Sequence, residues 1–125
     1  MSQPSVLIVD GDQDAALSLH ELLKIRGYDV RVTLDTTTAM VAAAQRRPDA
    51  ILLDIGAGGD ITGVDLCRWL RHGADGGKAL IIVITGWTRA EDQANARAAG
   101  CDHYLLKPVD LQTLETLLQG PGLDS

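Results

Sequence analysis

The chain has 125 residues, the length of one compact domain, and 46% hydrophobic residues give it enough apolar content to bury a core. A formal net charge of -6 argues against a nucleic-acid footprint, which shows as a basic patch or stripe, and no apolar run approaches the roughly 18 residues that span a bilayer. Met1-Ser2-Gln3-Pro4 lacks the charged and apolar regions of a signal peptide, and Cys67 and Cys101 lack Cys-x-x-Cys spacing, so the expectation is a cytoplasmic protein with reduced, packing cysteines and a protein or cation as partner.

Strand-like and helix-like stretches alternate five times along the chain. Val6-Leu7-Ile8-Val9 is an apolar, β-branched run too short for a helix, and predicts the first strand. Asp14 to Ile25 sets Ala15, Ala16, Leu19, Leu22 and Leu23 at helical spacing, with Gly27 to close the helix. Tyr28 to Thr33 alternates Val30 and Val32 with polar residues, as an edge strand does, and Asp35 can cap a helix through Met40, Val41 and Ala44 to about Arg46, which Pro48 ends. Ala50 to Ile55 is the second apolar run, interrupted by Asp54, and a glycine-rich stretch from Gly56 to Gly63 follows it.

A third helix from Val64 to Arg71 turns Leu66, Cys67 and Leu70 inward, and Leu80 to Ile84 is the most strand-like run of the sequence, ending in Thr85. Thr88-Arg89-Ala90-Glu91 reads as a capping box for an alanine-rich helix that Gly100 terminates. A fifth strand from about His103 to Leu106 leads to Lys107-Pro108, and Asp110 caps a last helix with Leu111, Leu114, Leu117 and Leu118 inward, before Gly120 to Ser125. Five βα units with apolar central strands predict a doubly wound α/β domain, a parallel sheet with helices on both faces. The whole chain, 1–125, is expected to be a single domain with its core at about 5–119, without an output domain.

In open α/β sheets the functional site lies beyond the carboxyl ends of the strands. Asp10 and Asp12, Asp54, Thr85 and Lys107 all fall at strand ends here. Singly each has an ordinary reading, as a helix cap, loop acid, turn residue or surface cation; together they make a site. Clustered carboxylates repel unless a cation neutralises them, and hard oxygen ligands favour Mg²⁺. A carboxylate so placed can act as a nucleophile toward phosphorus.

Val6-Leu7-Ile8-Val9-Asp10, Pro48-Asp49-Ala50-Ile51-Leu52-Leu53-Asp54, Ile82-Val83-Ile84-Thr85-Gly86 and Ala99-Gly100-Cys101-Asp102-His103-Tyr104-Leu105-Leu106-Lys107-Pro108 resemble, in order and spacing, the motifs of the receiver domains of two-component response regulators. The resemblance covers nearly the whole chain, and Gly100 to Leu118 is especially similar to receivers attached to hybrid histidine kinases. It implies a (βα)5 flavodoxin-like sandwich with strand order 2-1-3-4-5. It further implies that Asp54 accepts a phosphoryl group from a histidine kinase or histidine phosphotransfer protein, and that Mg²⁺ is held by Asp10, Asp54 and the Gly56 carbonyl. Thr85 would bond a phosphoryl oxygen, Lys107 would pair with Asp54 or the phosphoryl group, and Tyr104 would be the switch aromatic. The signal would pass to a downstream protein through the face of helix four, strand five and helix five, with Arg89, Asp92, Gln93, Arg97, Gln112 and Glu115 as candidate contacts, the chain being a monomer or a phosphorylation-linked dimer.

Two features depart from that pattern. Asp10-Gly11-Asp12 puts glycine where the family has a second adjacent acid, so Mg²⁺ affinity is expected to fall, by about 10–100-fold or more, unless Asp12 swings in. The loop Gly56-Ala57-Gly58-Gly59-Asp60-Ile61-Thr62-Gly63 lacks the family's proline, has one residue more, and is expected to be mobile. A degenerate receiver that signals without phosphate is therefore an open alternative. So is a haloacid-dehalogenase-like phosphohydrolase using Asp10-Gly11-Asp12, although only scattered Asp110, Glu115 and Asp124 follow Lys107 and Asp54 would go unused. A flavodoxin-like nucleotide or flavin module lacks a phosphate loop, and His20, His72 and His103 are too scattered for zinc.

Overall fold

The computed structural model describes residues 3–73, 77–86 and 90–124, with side chains up to Gln119. Its elements run β1 (Ser5–Val9), α1 (Gln13–Ile25), β2 (Asp29–Thr33), α2 (Thr36–Gln45), β3 (Ala50–Asp54), α3 (Gly63–Arg71), β4 (Leu80–Thr85), α4 (Ala90–Ala98), β5 (His103–Leu106) and α5 (Leu111–Asp124). All strand pairings are parallel, as expected for the doubly wound class, and the order is β2-β1-β3-β4-β5, as the family resemblance implies.

The alternation of each central strand divides the interior in two. Leu7, Val9, Ile51, Leu53, Ile81 and Val83 point to one face and pack with Ala39 and Ala43 of α2, Leu66, Cys67 and Leu70 of α3, and Ala96 of α4. Val6, Ile8, Ala50, Leu52, Ile82 and Ile84 point to the other and pack with Ala16 and Leu23 of α1 and Leu114 and Leu118 of α5. Both faces being covered is why β1, β3 and β4 read as uninterrupted apolar runs.

Side chains set the helix ends. The Asp12 carboxylate accepts from the amides of Asp14 and Ala15, Asp35 accepts from Thr38, and Thr62 accepts from Asp65. Gly27, at φ 96°, closes α1 in the left-handed conformation that glycine adopts without penalty. Two helices leave part of their apolar residues uncovered. On α1, Leu22 is 44% exposed, and on α2 the buried residues are Thr36, Ala39 and Ala43 while Val41 and Ala44 face outward. Each helix carries more apolar residues than its buried stripe can take. The last helix continues to Asp124, past the expected stop at Gly120, since glycine and proline weaken a helix by about 1 and 3 kcal/mol rather than forbid it. Thr88 and Arg89, and with them the predicted capping box and one candidate contact residue, lie outside the described residues.

Candidate functional site

The carboxyl ends of β1, β3 and β4 and the residue after β5 come together at one edge of the sheet, bringing Asp10, Asp54 and Lys107 into direct contact. Lys107 Nζ lies 3.1 Å from Asp10 Oδ2 and 3.1 Å from Asp54 Oδ2. Asp10 is only 8% exposed, and its second oxygen accepts from the Asp12 amide at 2.9 Å. The free oxygen of Asp54, Oδ1, accepts from the Gly56 amide at 3.0 Å. Burial opposes the charge on Lys107, but hydrogen bonds and charge from Asp54 and Asp10 outweigh it and hold the ammonium above the ordinary lysine range. The cation is anchored by its backbone as well, for Lys107 N–H donates to the Thr85 carbonyl at 2.7 Å.

Thr85 ends β4, 2% exposed. In β4, residues 81, 83 and 85 share a face, and Val83 is the register partner of Tyr104, which puts Thr85 and Tyr104 on the same side of the sheet. The Tyr104 hydroxyl is buried without a hydrogen-bond partner among the described residues, and burial, with Asp92 adding to it, raises its phenol pKa.

Asp12 stands differently from the other acids. One of its carboxylate oxygens caps α1, accepting from Asp14 N at 3.1 Å and Ala15 N at 3.3 Å. Gly11 is open: a Cβ there would meet only the Leu34 carbonyl oxygen, at 3.7 Å. Hard oxygen donors remain in Asp10, Asp54 and the Gly56 backbone, a set that suits Mg²⁺, which keeps several waters and needs one or two carboxylates from a protein. Among the described residues no three His, Cys, Asp or Glu side chains cluster tightly enough to hold a metal by themselves.

The glycine-rich loop after Asp54, expected to be mobile, is tied to the start of α2. Thr36 N–H donates to the Gly58 carbonyl at 2.8 Å, the Thr36 hydroxyl reaches the carbonyls of Ile61 at 2.6 Å and Gly58 at 3.2 Å, and Asp60 N–H donates to Thr37 Oγ1 at 2.8 Å. Thr36 is fully buried there. Nothing in the sequence beyond the threonine run after Asp35 hinted at this contact. A second unforeseen feature is an apolar groove of about 540 Å³ between α1 and the turn after β5, lined by Leu19, Leu22, Pro108 and Val109 and reaching Asp10 and Lys107.

Of the expected partner-face residues, Arg97 and Gln112 are exposed and Asp92 and Gln93 half-buried, but Glu115 turns toward α1, where both its oxygens bind Arg26 at 2.7 and 2.8 Å. The histidines stay apart: His20 lies 3.4 Å from Glu21, His72 caps the end of α3 and His103 opens β5.

The family model of the response regulator receiver domain matches residues 6–119. The transcriptional regulatory protein PrrA of Mycobacterium tuberculosis is 34% identical over 114 residues, which are 91% of this chain and 48% of that protein; the chain spans about half the length of such relatives. Among solved structures, chemotaxis protein CheY4 of Vibrio cholerae superposes with a TM-score of 0.86 at 26% identity, covering 94% of this chain and 98% of that one. A response regulator of Burkholderia pseudomallei with a phosphorylated aspartic acid, a calcium ion and citrate gives 0.84 at 27% identity, covering 98% and 70%.

Proposed function

Since the chain belongs to the response regulator receiver domain family of two-component signalling, we propose that it takes a phosphoryl group onto Asp54 from a phosphohistidine donor. The observation that carries this reading is Lys107 Nζ at 3.1 Å from both Asp54 and Asp10, a single cation shared between two acids at a strand-end site. In the transfer an Asp54 oxygen forms a bond to phosphorus while the phosphorus–nitrogen bond of the donor breaks. The imidazole leaves with the electron pair and takes up a proton from solvent. Lys107 offsets the charge on the incoming group and can follow it from the carboxylate, being held above the ordinary lysine range and so cationic at neutral pH.

Asp10, Asp54 and the Gly56 carbonyl would hold Mg²⁺, which supplies charge neutralisation for the phosphoryl oxygens. Thr85 would bond one phosphoryl oxygen. Tyr104 would then turn, and its buried hydroxyl, now without a partner among the described residues, favours such a move, an unpaired buried hydroxyl costing about 1–3 kcal/mol. The added charge of roughly -1.5 to -2 biases the surface around α4 and β5 toward a downstream protein. The groove supports a place for the donor, since it reaches Lys107 and Asp10, and Lys107 bonds the acceptor Asp54.

A phosphate-independent interaction module is the second reading, favoured by glycine at position 11 and the capping role of Asp12. Intact-mass analysis after incubation with acetyl phosphate, with and without Mg²⁺, separates the two. Phosphorylation requires a labile adduct of one phosphoryl group that is missing from Asp54→Asn. No adduct on the wild-type chain at high Mg²⁺ would leave only the second reading, and an adduct on Asp10 instead would point to the phosphohydrolase chemistry.

A further inference from the structure

We infer that Thr36 is a positioning residue for the Asp54 site, acting through the loop that carries Gly56; this rests on the proposed phosphorylation of Asp54. The loop begins with the backbone groups that matter to the site. Gly56 N–H is bonded to Asp54 Oδ1, and the Gly56 carbonyl is the proposed metal ligand. Four glycines between 56 and 63 give the loop great freedom, and no proline restrains it. Its own hydrogen bonding within the first turn is slight: Ala57 N–H donates to the Asp54 carbonyl at 2.9 Å.

Ala57 and Ile61 pack against the core, and further restraint comes from α2, where the Thr37 hydroxyl accepts from Asp60 N–H at 2.8 Å and Thr36 makes the larger set of bonds. The fully buried Thr36 grips Gly58 with its amide and Ile61 and Gly58 with its hydroxyl, so the loop is held on both sides of Gly59. Gly59 itself, at φ 130°, presses its Cα against this clamp: a Cβ there would stand 2.2 Å from Thr36 Oγ1 and 2.9 Å from Thr36 N. A side chain at 59 and the hydroxyl at 36 exclude each other. Thr36 thus supplies, from another element, the order that the glycines remove. Coupling of this kind is reciprocal, so a phosphoryl group that fixes Gly56 also tightens the start of α2.

The test combines acetyl-phosphate labelling with amide hydrogen exchange on four proteins: wild type, Thr36→Val, Thr36→Ser and Gly59→Ala. Thr36→Val keeps the shape and removes the hydroxyl; Thr36→Ser restores it. The expected result is a Mg²⁺-dependent labelling rate lowered roughly tenfold in Thr36→Val and in Gly59→Ala, and within about twofold of wild type in Thr36→Ser. Exchange at the Gly56 amide should quicken in the two slow variants before any phosphate is added. Labelling of the wild type should slow exchange at the Thr36 amide. A wild-type rate in Thr36→Val overturns the inference, as does a Thr36→Ser variant as slow as Thr36→Val. Labelled wild type with unchanged exchange at Thr36 overturns the reciprocal coupling, whereas absence of any adduct on wild type removes the phosphorylation reading beneath it.

Discussion

At the site, single residues decide what the strand-end geometry can do. The space at Gly11 is open except for one carbonyl oxygen at 3.7 Å, so a Cβ fits there without displacing the neighbours. Gly11→Asp is expected to raise Mg²⁺ affinity by about tenfold or more, as read by calorimetric titration, because it adds a hard anionic ligand beside Asp10. Asp12 does not substitute for it cheaply, since withdrawing its carboxylate uncaps α1 at a cost of about 1 kcal/mol. Lys107 provides a second test. Its folded pKa lies above the ordinary value of 10.5, so the stability it contributes is complete below that value and disappears as pH rises through the folded pKa. The difference in urea midpoint between wild type and Lys107→Met should therefore stay constant through neutral pH and narrow only above about pH 10.5.

Between elements, a heavily bonded side chain lies at the other end of the sheet. Arg71, closing α3, donates to the carbonyls of Gly100, Gly77 and Ala79 and pairs with Asp102 Oδ2 at 2.8 Å, while the same Asp102 oxygen accepts from Ile81 N at 2.8 Å. One guanidinium thus ties α3 to the starts of β4 and β5. Arg71→Met keeps the apolar stem but strands these carbonyls, and should lower stability by about 2–3 kcal/mol in urea unfolding. The strands and the meeting of Asp10, Asp54 and Lys107 were legible in the sequence because they follow from local runs and from where parallel strands end, while the strand order came only with the receiver resemblance. The Arg71 clasp and the Thr36 brace were not. Each joins residues that no periodicity relates, and a mid-chain arginine or a threonine after a capping aspartate reads as surface or helix start. The exposure of Leu22 was not legible for a complementary reason: spacing does not report which apolar residue of a helix is covered, and the groove that leaves Leu22 half-uncovered is made by a turn after β5.

For the molecule as a whole, two cores on either side of one sheet make the folded state cooperative, and the cysteines report on that differently. Cys67 is fully buried in the α3 side of the interior, and its thiol is pushed up to about 12, mainly by burial. Cys101, before β5, is half-buried, and burial raises its thiol as well. A raised thiol stays protonated in the fold and ionises in the unfolded chain from about its ordinary value of 9.0, so stability should decline from about pH 9 upward, and Cys67→Ala should blunt that decline in urea midpoints taken between pH 7 and 11. Thiolate is also the form that reacts with alkylating reagents. Cys101 should accordingly label first at neutral pH, and Cys67 only when the whole domain opens, with a rate that falls as denaturant is removed. The buried sulfur then serves as a clock for global unfolding. Run beside a phosphorylation assay, it would report how the proposed phosphorylation of Asp54 changes the lifetime of the fold.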